Sequence, residues 1–169
     1  MQDLLPRAER LGALLISRKQ TIAVSESSSG GLVAASLLAV PGASAYFVGG
    51  AVVYTQRARA GLLGVGEADM AGIRSATEPY ALLLARTIRD RLGVSWGIAE
   101  TGAAGPRGNS YGDPAGHTCV AISGPTEKAI TIETGVSNRV DNMRLFALSL
   151  LELLTEAIEQ ASQNDPLAR

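Results

Sequence analysis

The sequence predicts an α/β layered domain, and two observations support this fold class. Runs of β-branched and apolar residues of strand length alternate with amphipathic helical stretches along most of the 169 residues, as in helices packed against a sheet. A hydrophobic content of 46% over this length can bury one substantial core but hardly a second. We therefore expect a single domain over residues 1–160, followed by a polar tail over residues 161–169.

The N-terminal half begins with a predicted helix, because apolar residues recur at helical spacing from Leu4 to Leu15. The β-branched run from Thr21 to Ser25 predicts the first strand. A second helix should follow Gly30–Gly31 and end before Pro41. The next predicted elements are a strand within Tyr46 to Tyr54 and a short helix over Arg57 to Leu63.

The C-terminal half opens on Thr77-Glu78-Pro79, which combines a capping hydroxyl, an acidic residue and a first-turn proline, so it predicts a helix start. This helix should run to Leu92 and stop at Gly93. The remaining predicted elements are strands at Trp96 to Glu100, His117 to Ser123 and Ala129 to Thr134, and a last helix at about Arg139 to Ile158.

Composition excludes several classes of partner. The formal net charge is −1 and the basic residues are scattered, so there is no basic stripe for binding nucleic acid. The single cysteine, Cys119, lies in an apolar run, which predicts a buried thiol in a reducing compartment. The N-terminus lacks a signal-peptide pattern, and no apolar stretch approaches the roughly 20 residues that span a bilayer. We expect a cytoplasmic protein without a membrane partner, and a homo-oligomer is compatible with the sequence.

The segment Ser25 to Gly31 joins the first predicted strand to the second helix. Such a turn leaves backbone N–H groups that can bind an anion or an oxyanion, and it can present a serine hydroxyl as a nucleophile. The alternative is an ordinary helix cap, since serine and threonine are favoured at that position whatever the function.

A glycine-rich loop, Glu100 to Asn109 followed by Gly112 to Gly116, hangs on the end of a predicted strand. Successive glycine amides can form an anion-binding concavity, for which phosphate is the obvious ligand. Its spacing matches neither the P-loop nor the dinucleotide fingerprint. The alternative is a turn-rich connection set by Pro106 and Pro114, although connections of this length tend to be functional.

Together these segments resemble the CinA C-terminal domain family, whose best-known activity is deamidation of nicotinamide mononucleotide. The matches lie in the family's order along nearly the whole chain. They are Glu26-Ser27-Ser28-Ser29-Gly30-Gly31, Pro41-Gly42-Ala43-Ser44-Ala45-Tyr46-Phe47, Tyr54-Thr55-Gln56-Arg57-Ala58-Arg59, Leu62-Leu63-Gly64-Val65 and Thr101-Gly102-Ala103-Ala104-Gly105-Pro106.

The resemblance implies a three-layer α/β/α sandwich with a mixed, mainly parallel sheet. It also implies an amidohydrolase that uses a Ser/Lys dyad, with neither a metal nor another cofactor, on a small nucleotide-like substrate. Ser27 falls on the family's nucleophile. From the resemblance and from the residues at its departures, the predicted catalytic set is Ser27, Arg59, Tyr54, Thr101 and Glu100. The substrate-binding set is Glu26, Ser28, Ser29, Gly30, Gly31, Gly102, Gly105, Arg107, His117 and Arg139.

Arg59 stands where the family has the dyad lysine. Arginine keeps its proton at neutral pH and cannot serve as the general base. It can still orient Ser27, bind a phosphate or carboxylate, or stabilise developing negative charge.

Three further departures accompany this substitution. Glu100 replaces a small or apolar residue, and it either forms an ion pair with Arg59, which we favour, or acts as a replacement base. His117, the only histidine, is either structural or a base. Arg139 and Arg144 have altered spacing from the family's basic segment, so Arg139 is a candidate phosphate ligand.

These residues predict hydrolysis of the carboxamide of nicotinamide mononucleotide or a related pyridine nucleotide. Ser27 would be the nucleophile, and backbone N–H groups from Ser28 to Gly30 would hold the oxyanion. The alternative is a diverged protein that binds a nucleotide-like or other anionic ligand without hydrolysing it, because loss of the lysine disables the base and leaves the cleft intact.

Overall fold

A five-stranded mixed sheet lies between two layers of helices in the computed structural model, which describes residues 1–163. The strands are β1 (Ile22–Glu26), β2 (Phe47–Val52), β3 (Trp96–Ala103), β4 (His117–Ser123) and β5 (Glu127–Glu133). The α-helices are α1 (Leu5–Ser17), α2 (Leu32–Leu38), α3 (Gln56–Ala58), α4 (Glu78–Leu92) and α5 (Arg139–Gln163). A π-helical turn, Arg59–Leu63, continues α3, and 3-10 turns span Ala43–Ala45 and Ala68–Met70.

The strand order is β2-β1-β3-β4-β5. β1 pairs in parallel with β2 and β3, whereas β4 is antiparallel to both of its neighbours. Among the described strands, β1, β2, β3 and β5 therefore point the same way and β4 alone runs against them. The predicted three-layer α/β/α fold with a mixed sheet is confirmed.

The one core expected from the composition is divided by the sheet into two clusters of buried residues, one on each face. On one face, α1, α2 and α5 pack together around fully buried side chains that include Leu11, Trp96 and Leu150. On the other face, α4 covers the sheet through residues such as Leu84 and Ile88. Burial of an apolar side chain of this size contributes about 1.5–3 kcal/mol, so both faces stabilise the sheet that positions the loops.

Most predicted elements are present with small shifts in their ends. The helix predicted to stop at Gly93 ends at Leu92, with Gly93 in the left-handed conformation (φ +61°). β3 continues beyond Glu100 to Ala103, and α5 continues beyond Ile158 to Gln163. Residues 161–163 of the predicted polar tail thus belong to α5, and the rest of that tail lies outside the described residues. Cys119 is buried, as expected.

The carboxyl ends of β1 and of its two parallel partners, β2 and β3, lie at one edge of the sheet. Ser27 directly follows β1, Tyr54 lies two residues after β2, and Thr101 lies two residues before the end of β3. In open α/β sheets this edge is where ligands usually bind. No helix among residues 1–163 has the length and apolar character needed to cross a membrane.

Candidate functional site

A cavity of about 270 Å³ opens at this edge of the sheet, and we call it the first cavity. It brings together four of the five predicted catalytic residues: Ser27, Tyr54, Arg59 and Thr101. Gly102 from the predicted binding set also lines it. Residues that sequence reasoning did not single out complete the wall, and they are Val53, Thr55, Gln56, Ser75, Ala76, Tyr80, Asn109 and Tyr111.

The Ser27 hydroxyl is uncommitted. Ser27 is partly buried, and its Oγ has no hydrogen-bond partner among the described residues. Its backbone N–H donates instead to Glu100 Oε2 at 3.1 Å, which fixes the main chain of the turn. A hydroxyl at a cavity wall on a held backbone can contact a ligand as a nucleophile or as a hydrogen-bond donor.

Glu100 lies beneath the Ser27 turn and is fully buried. Its carboxylate accepts hydrogen bonds from the backbone N–H groups of Ser27 and Ser29 at 3.1 and 2.8 Å, and from the Ser28 hydroxyl. The Thr118 hydroxyl lies 3.2 Å from it. A carboxylate of the protein itself therefore occupies donors that the turn could offer to a ligand.

Most of the backbone N–H groups that were expected to bind the oxyanion already donate hydrogen bonds within the protein. Ser29 N donates to Glu100, and Gly30 N donates to the Ser27 carbonyl at 3.2 Å. Of the backbone N–H groups from Ser28 to Gly30, that of Ser28 alone has no acceptor among the described residues. Ser28 and Ser29 are themselves buried, and neither lines the first cavity.

Glu26, rather than a serine, caps helix α2. Its carboxylate accepts from the backbone N–H groups of Gly31, Val33 and Ala34 at 3.0, 3.0 and 2.8 Å. The expectation of an ordinary serine cap is therefore wrong, because the last residue of β1 reaches over the turn to the helix. Burial raises the pKa of Glu26, the helix N–H groups oppose this rise, and Glu100 adds to it.

Arg59 is 4% exposed and lies in the π-helical turn. Its Nε donates to the Val65 carbonyl at 3.1 Å, and its guanidinium lies 5.8 Å from the centre of the Tyr80 ring. No carboxylate within residues 1–163 lies within 4.0 Å of it. The favoured Arg59–Glu100 ion pair is thus wrong, because the hydroxyls and amides of the serine turn satisfy Glu100 instead.

His117 is buried outside the lining of the first cavity. Its Nδ1 lies 2.5 Å from Glu133 Oε1, and its Nε2 lies 2.9 Å from the Ala76 carbonyl. Burial opposes the charged ring, but these two acceptors, together with Asp113, raise the pKa of His117. The imidazolium can donate to both acceptors at once. His117 therefore holds Ala76, which lines the cavity with φ +56°, and does not itself face a ligand.

Side chains of the glycine-rich loop bond to one another and to the connection before α4. Arg74 forms two hydrogen bonds to Asp113, at 2.6 and 3.1 Å, and Asn109 Nδ2 adds one at 2.8 Å. The Arg74 guanidinium holds the pKa of Asp113 at about 2, although partial burial opposes this shift. The backbone N–H groups of Asn109, Gly112 and Gly116 also donate within the chain. The loop is therefore a folded wall of the cavity, held by its own side chains and by Arg74.

The remaining predicted cations lie away from a ligand position. Arg107 is exposed and outside the lining of the first cavity. Arg139 donates to the Gly105 carbonyl at 2.8 Å and to the Tyr54 hydroxyl at 3.2 Å. The predicted phosphate ligand thus links the loop to Tyr54. Across residues 1–163, no group of three His, Cys, Asp or Glu side chains is placed to hold a metal ion.

Sequence reasoning missed two of the three tyrosines that line the cavity, Tyr80 and Tyr111. Tyr80 lies in the first turn of α4, and Tyr111 lies in the glycine-rich loop. The only signal for either was a polar aromatic residue beside a recognised motif, which does not specify the direction of the side chain. Gln56, between Tyr54 and Arg59, did belong to a recognised segment and could have been included.

Comparison with known proteins gives a consistent result. The family model described as the CinA C-terminal domain matches residues 5–158. The CinA-like protein of Gloeobacter violaceus is 39% identical over 153 residues, which cover 89% of this chain and 36% of that protein. The CinA-like protein of Myxococcus xanthus is 39% identical over 137 residues, covering 80% and 32%. The chain thus spans about a third of the length of these relatives.

Solved structures share the fold along almost the whole chain. A CinA superfamily protein from Klebsiella pneumoniae superposes with a TM-score of 0.87 at 23% identity, covering 93% of this chain and 98% of that one. The competence/damage inducible protein CihA from Agrobacterium tumefaciens gives a TM-score of 0.82 at 27% identity, covering 93% and 96%. The likeness therefore shows that this chain shares the fold of these structures.

Proposed function

Because the chain belongs to the CinA C-terminal domain family, we propose that its first cavity is the active site of a serine amidohydrolase. The substrate would carry the carboxamide of nicotinamide mononucleotide or a related pyridine nucleotide. The observation that carries this proposal is the uncommitted Ser27 hydroxyl at the cavity wall, with Arg59 and Thr101 lining the same space.

The proposed reaction proceeds through an acyl-enzyme. Ser27 Oγ attacks the carboxamide carbon, its proton passes to the departing nitrogen, and ammonia leaves. Water then hydrolyses the ester to give the carboxylic acid and free Ser27.

Two hydroxyls would orient the substrate. Thr101 is buried and belongs to β3, so the sheet fixes its position. Tyr54 is more exposed, but the Arg139 contacts to its hydroxyl and ring restrict it. The remaining backbone donor of the turn, Ser28 N, would contribute to binding of the oxyanion.

A second candidate function is ligand binding without hydrolysis, and the surroundings of Ser27 favour it. No described side chain accepts a hydrogen bond from Ser27 Oγ. An arginine side chain does not act as a general base, and Glu100 accepts from the Ser27 backbone N–H rather than from the hydroxyl. Glu100 also accepts a hydrogen bond from the Ser29 backbone N–H, which would otherwise be available to stabilise an oxyanion. A protein altered in this way could retain the cleft and lose the reaction.

One experiment separates the two candidates. Purified protein is incubated with nicotinamide mononucleotide, ammonia release is measured, and binding is measured in parallel by calorimetry. Hydrolysis that disappears in Ser27→Ala, but not in the exposed control Ser137→Ala, supports the amidohydrolase. Binding without ammonia release supports the second candidate. Absence of both contradicts the pyridine-nucleotide assignment.

The proposed setting is the cytoplasm, with a small-molecule ligand and neither nucleic acid nor a membrane as partner. It rests on the balanced net charge of −1 and on the single, buried Cys119. Subcellular fractionation of the native producer, with an antibody against the chain, would test the location.

A further inference from the structure

A second cavity, of about 310 Å³, adjoins the first. The two share the wall residues Gln56, Arg59, Ser75 and Tyr111. Beyond this shared wall, the second cavity is lined by Glu67, Met70, Ile73 and Arg74. The two cavities therefore form one longer cleft, with Arg59 at their junction.

Arg59 is a buried cation in this cleft, and no carboxylate of the described residues forms an ion pair with it. The other arginine in its lining, Arg74, forms two hydrogen bonds to Asp113. Arg59 is almost fully buried, yet the one hydrogen bond that its side chain makes to a described residue joins Nε to the Val65 carbonyl. Burial of a cation without a counter-charge is unfavourable, and an anion at this position would compensate it.

The guanidinium has the geometry for such a ligand. Nε is occupied by Val65, so the donors on Nη1 and Nη2 remain for a ligand. Two parallel N–H groups on a planar group match the two oxygens of a phosphate or a carboxylate. The Nε bond and the Tyr80 ring, 5.8 Å away, restrict the orientation of the group. Little side-chain entropy is then lost when a ligand binds.

We propose that Arg59 is the anion-binding residue of this cleft and holds a phosphate or carboxylate oxygen pair of the ligand at the junction of the two cavities. The proposal rests on the proposed function for the nucleotide-like class of ligand, and it assigns the negatively charged group to Arg59 instead of to the glycine-rich loop, Arg107 or Arg139. Met70 and Ile73 supply an apolar wall beyond the junction. Glu67 opposes an anion there, but it is exposed to solvent, which screens its charge.

The test compares Arg59→Gln with Arg57→Gln. Arg57 lies two residues away, is exposed, lines neither cavity and carries the same charge, so the second variant controls for a general loss of charge. Binding is measured by calorimetry for four compounds: the mononucleotides of nicotinamide and of nicotinate, and the two corresponding ribosides that lack phosphate. These compounds vary the phosphate and the carboxylate independently.

Arg59→Gln should weaken binding of the compounds that carry the recognised anion roughly tenfold to a hundredfold, the range expected for charged hydrogen bonds. Loss confined to the two mononucleotides identifies phosphate, and loss confined to the two nicotinate compounds identifies carboxylate. Nicotinamide riboside should bind both variants as it binds the native protein. Equal weakening in Arg57→Gln, or unchanged binding in Arg59→Gln, overturns the proposal.

A second probe separates this proposal from the proposed function. Binding of inorganic pyrophosphate is followed by broadening of its phosphorus NMR signal. If none of the four pyridine compounds binds while pyrophosphate binds the native protein and not Arg59→Gln, the function fails and the anion site stands. Absence of pyrophosphate binding to the native protein, when the pyridine compounds also fail to bind, overturns the anion site.

A third variant covers the case in which Arg59→Gln does not fold. Arg59→Lys keeps the positive charge but lacks the planar pair of donors. It should bind the same anionic compounds several-fold more weakly than the native protein does, with folding checked by circular dichroism. Unchanged binding would show that the guanidinium does not contact the anion.

Discussion

Glu26 and Glu100 approach the same hydroxyl, because Ser29 Oγ lies 2.8 Å from Oε2 of each. A serine hydroxyl has one proton and can donate to only one of them. The two carboxyl groups therefore lie close together around one hydroxyl proton. Burial raises the pKa of Glu26, and the nearby carboxyl of Glu100 adds to this rise.

Replacing Glu100 by glutamine should therefore be tolerated. The amide oxygen can accept from the N–H groups of Ser27 and Ser29, and the amide nitrogen can donate to the hydroxyls of Ser28 and Thr118. The like charge beside Glu26 disappears at the same time. We expect Glu100→Gln to be as stable as the native protein or more stable at pH 8, by urea unfolding. Glu100→Ala, which leaves the turn amides without an acceptor, should be less stable by a few kcal/mol.

Glu100→Gln should also change how the free energy of unfolding depends on pH. Folding raises the pKa of Glu26 above its ordinary value of 4.5, so its contribution to stability is complete below pH 4.5 and is lost as the pH rises through the native value. Without Glu100 the pKa rises less, and this loss should be smaller in Glu100→Gln. Equal slopes of unfolding free energy against pH in the two proteins would contradict a coupled pair. Loss of ammonia release with retained stability would instead identify Glu100 as the base.

His117 should stabilise the cavity wall in its protonated form. Its pKa is raised above 6.5, so its contribution is present below pH 6.5 and is lost as the pH rises through the native value. His117→Gln should therefore remove part of the fall in unfolding free energy on the alkaline side of pH 6.5. Because the ring holds the Ala76 carbonyl, we also expect a higher KM with a smaller change in kcat. A large fall in kcat at unchanged KM would indicate a catalytic role.

The Arg74–Asp113 pair should support the wall formed by the glycine-rich loop. The pKa of Asp113 is about 2, below its ordinary value of 3.8, so its contribution is present above pH 3.8 and is lost as the pH falls towards 2. Arg74 is 40% exposed, and solvent screening limits the effect to about 1 kcal/mol or less. Asp113→Asn should lower the thermal midpoint slightly at pH 7 and less at pH 2. It should also weaken ligand binding, because Asn109 and Tyr111 line the cavity. An equal shift at both pH values would argue against the ion pair.

The sequence predicted elements whose signals are local, such as the helix from Glu78 to Leu92 and the strand from His117 to Ser123. The resemblance to the family also predicted that Ser27, Tyr54 and Thr101 belong to one site, and all three line the first cavity. Side-chain direction was not predictable in this way. Glu100 could form an ion pair with Arg59 or accept from the serine turn, and only the packed structure distinguishes these arrangements.

Other parts of the site depend on contacts between distant segments. The cap of α2 comes from Glu26 in the preceding strand, whereas the local rule favours a serine at the helix start. The second cavity needs the 68–74 connection to lie beside the π-helical turn at Arg59, and no periodicity in the sequence specifies that approach. The pairing of His117 with Ala76 joins positions 41 residues apart.

Arg59→Lys tests whether the family's chemistry can be restored. Arg59 has no carboxylate partner among the described residues, so lysine would not break an ion pair, and a buried amine loses its proton more readily than an exposed one. We expect ammonia release from nicotinamide mononucleotide to rise at neutral to mildly alkaline pH, with Arg57→Lys unchanged. The same substitution should weaken the binding of anions, because the planar donor pair is lost. Faster hydrolysis with weaker anion binding would show that the change from lysine to arginine removed the general base and created an anion-binding residue. If hydrolysis does not rise in a folded Arg59→Lys protein, the rest of the site, beginning with Glu100 in the turn amides, has diverged from amide hydrolysis as well.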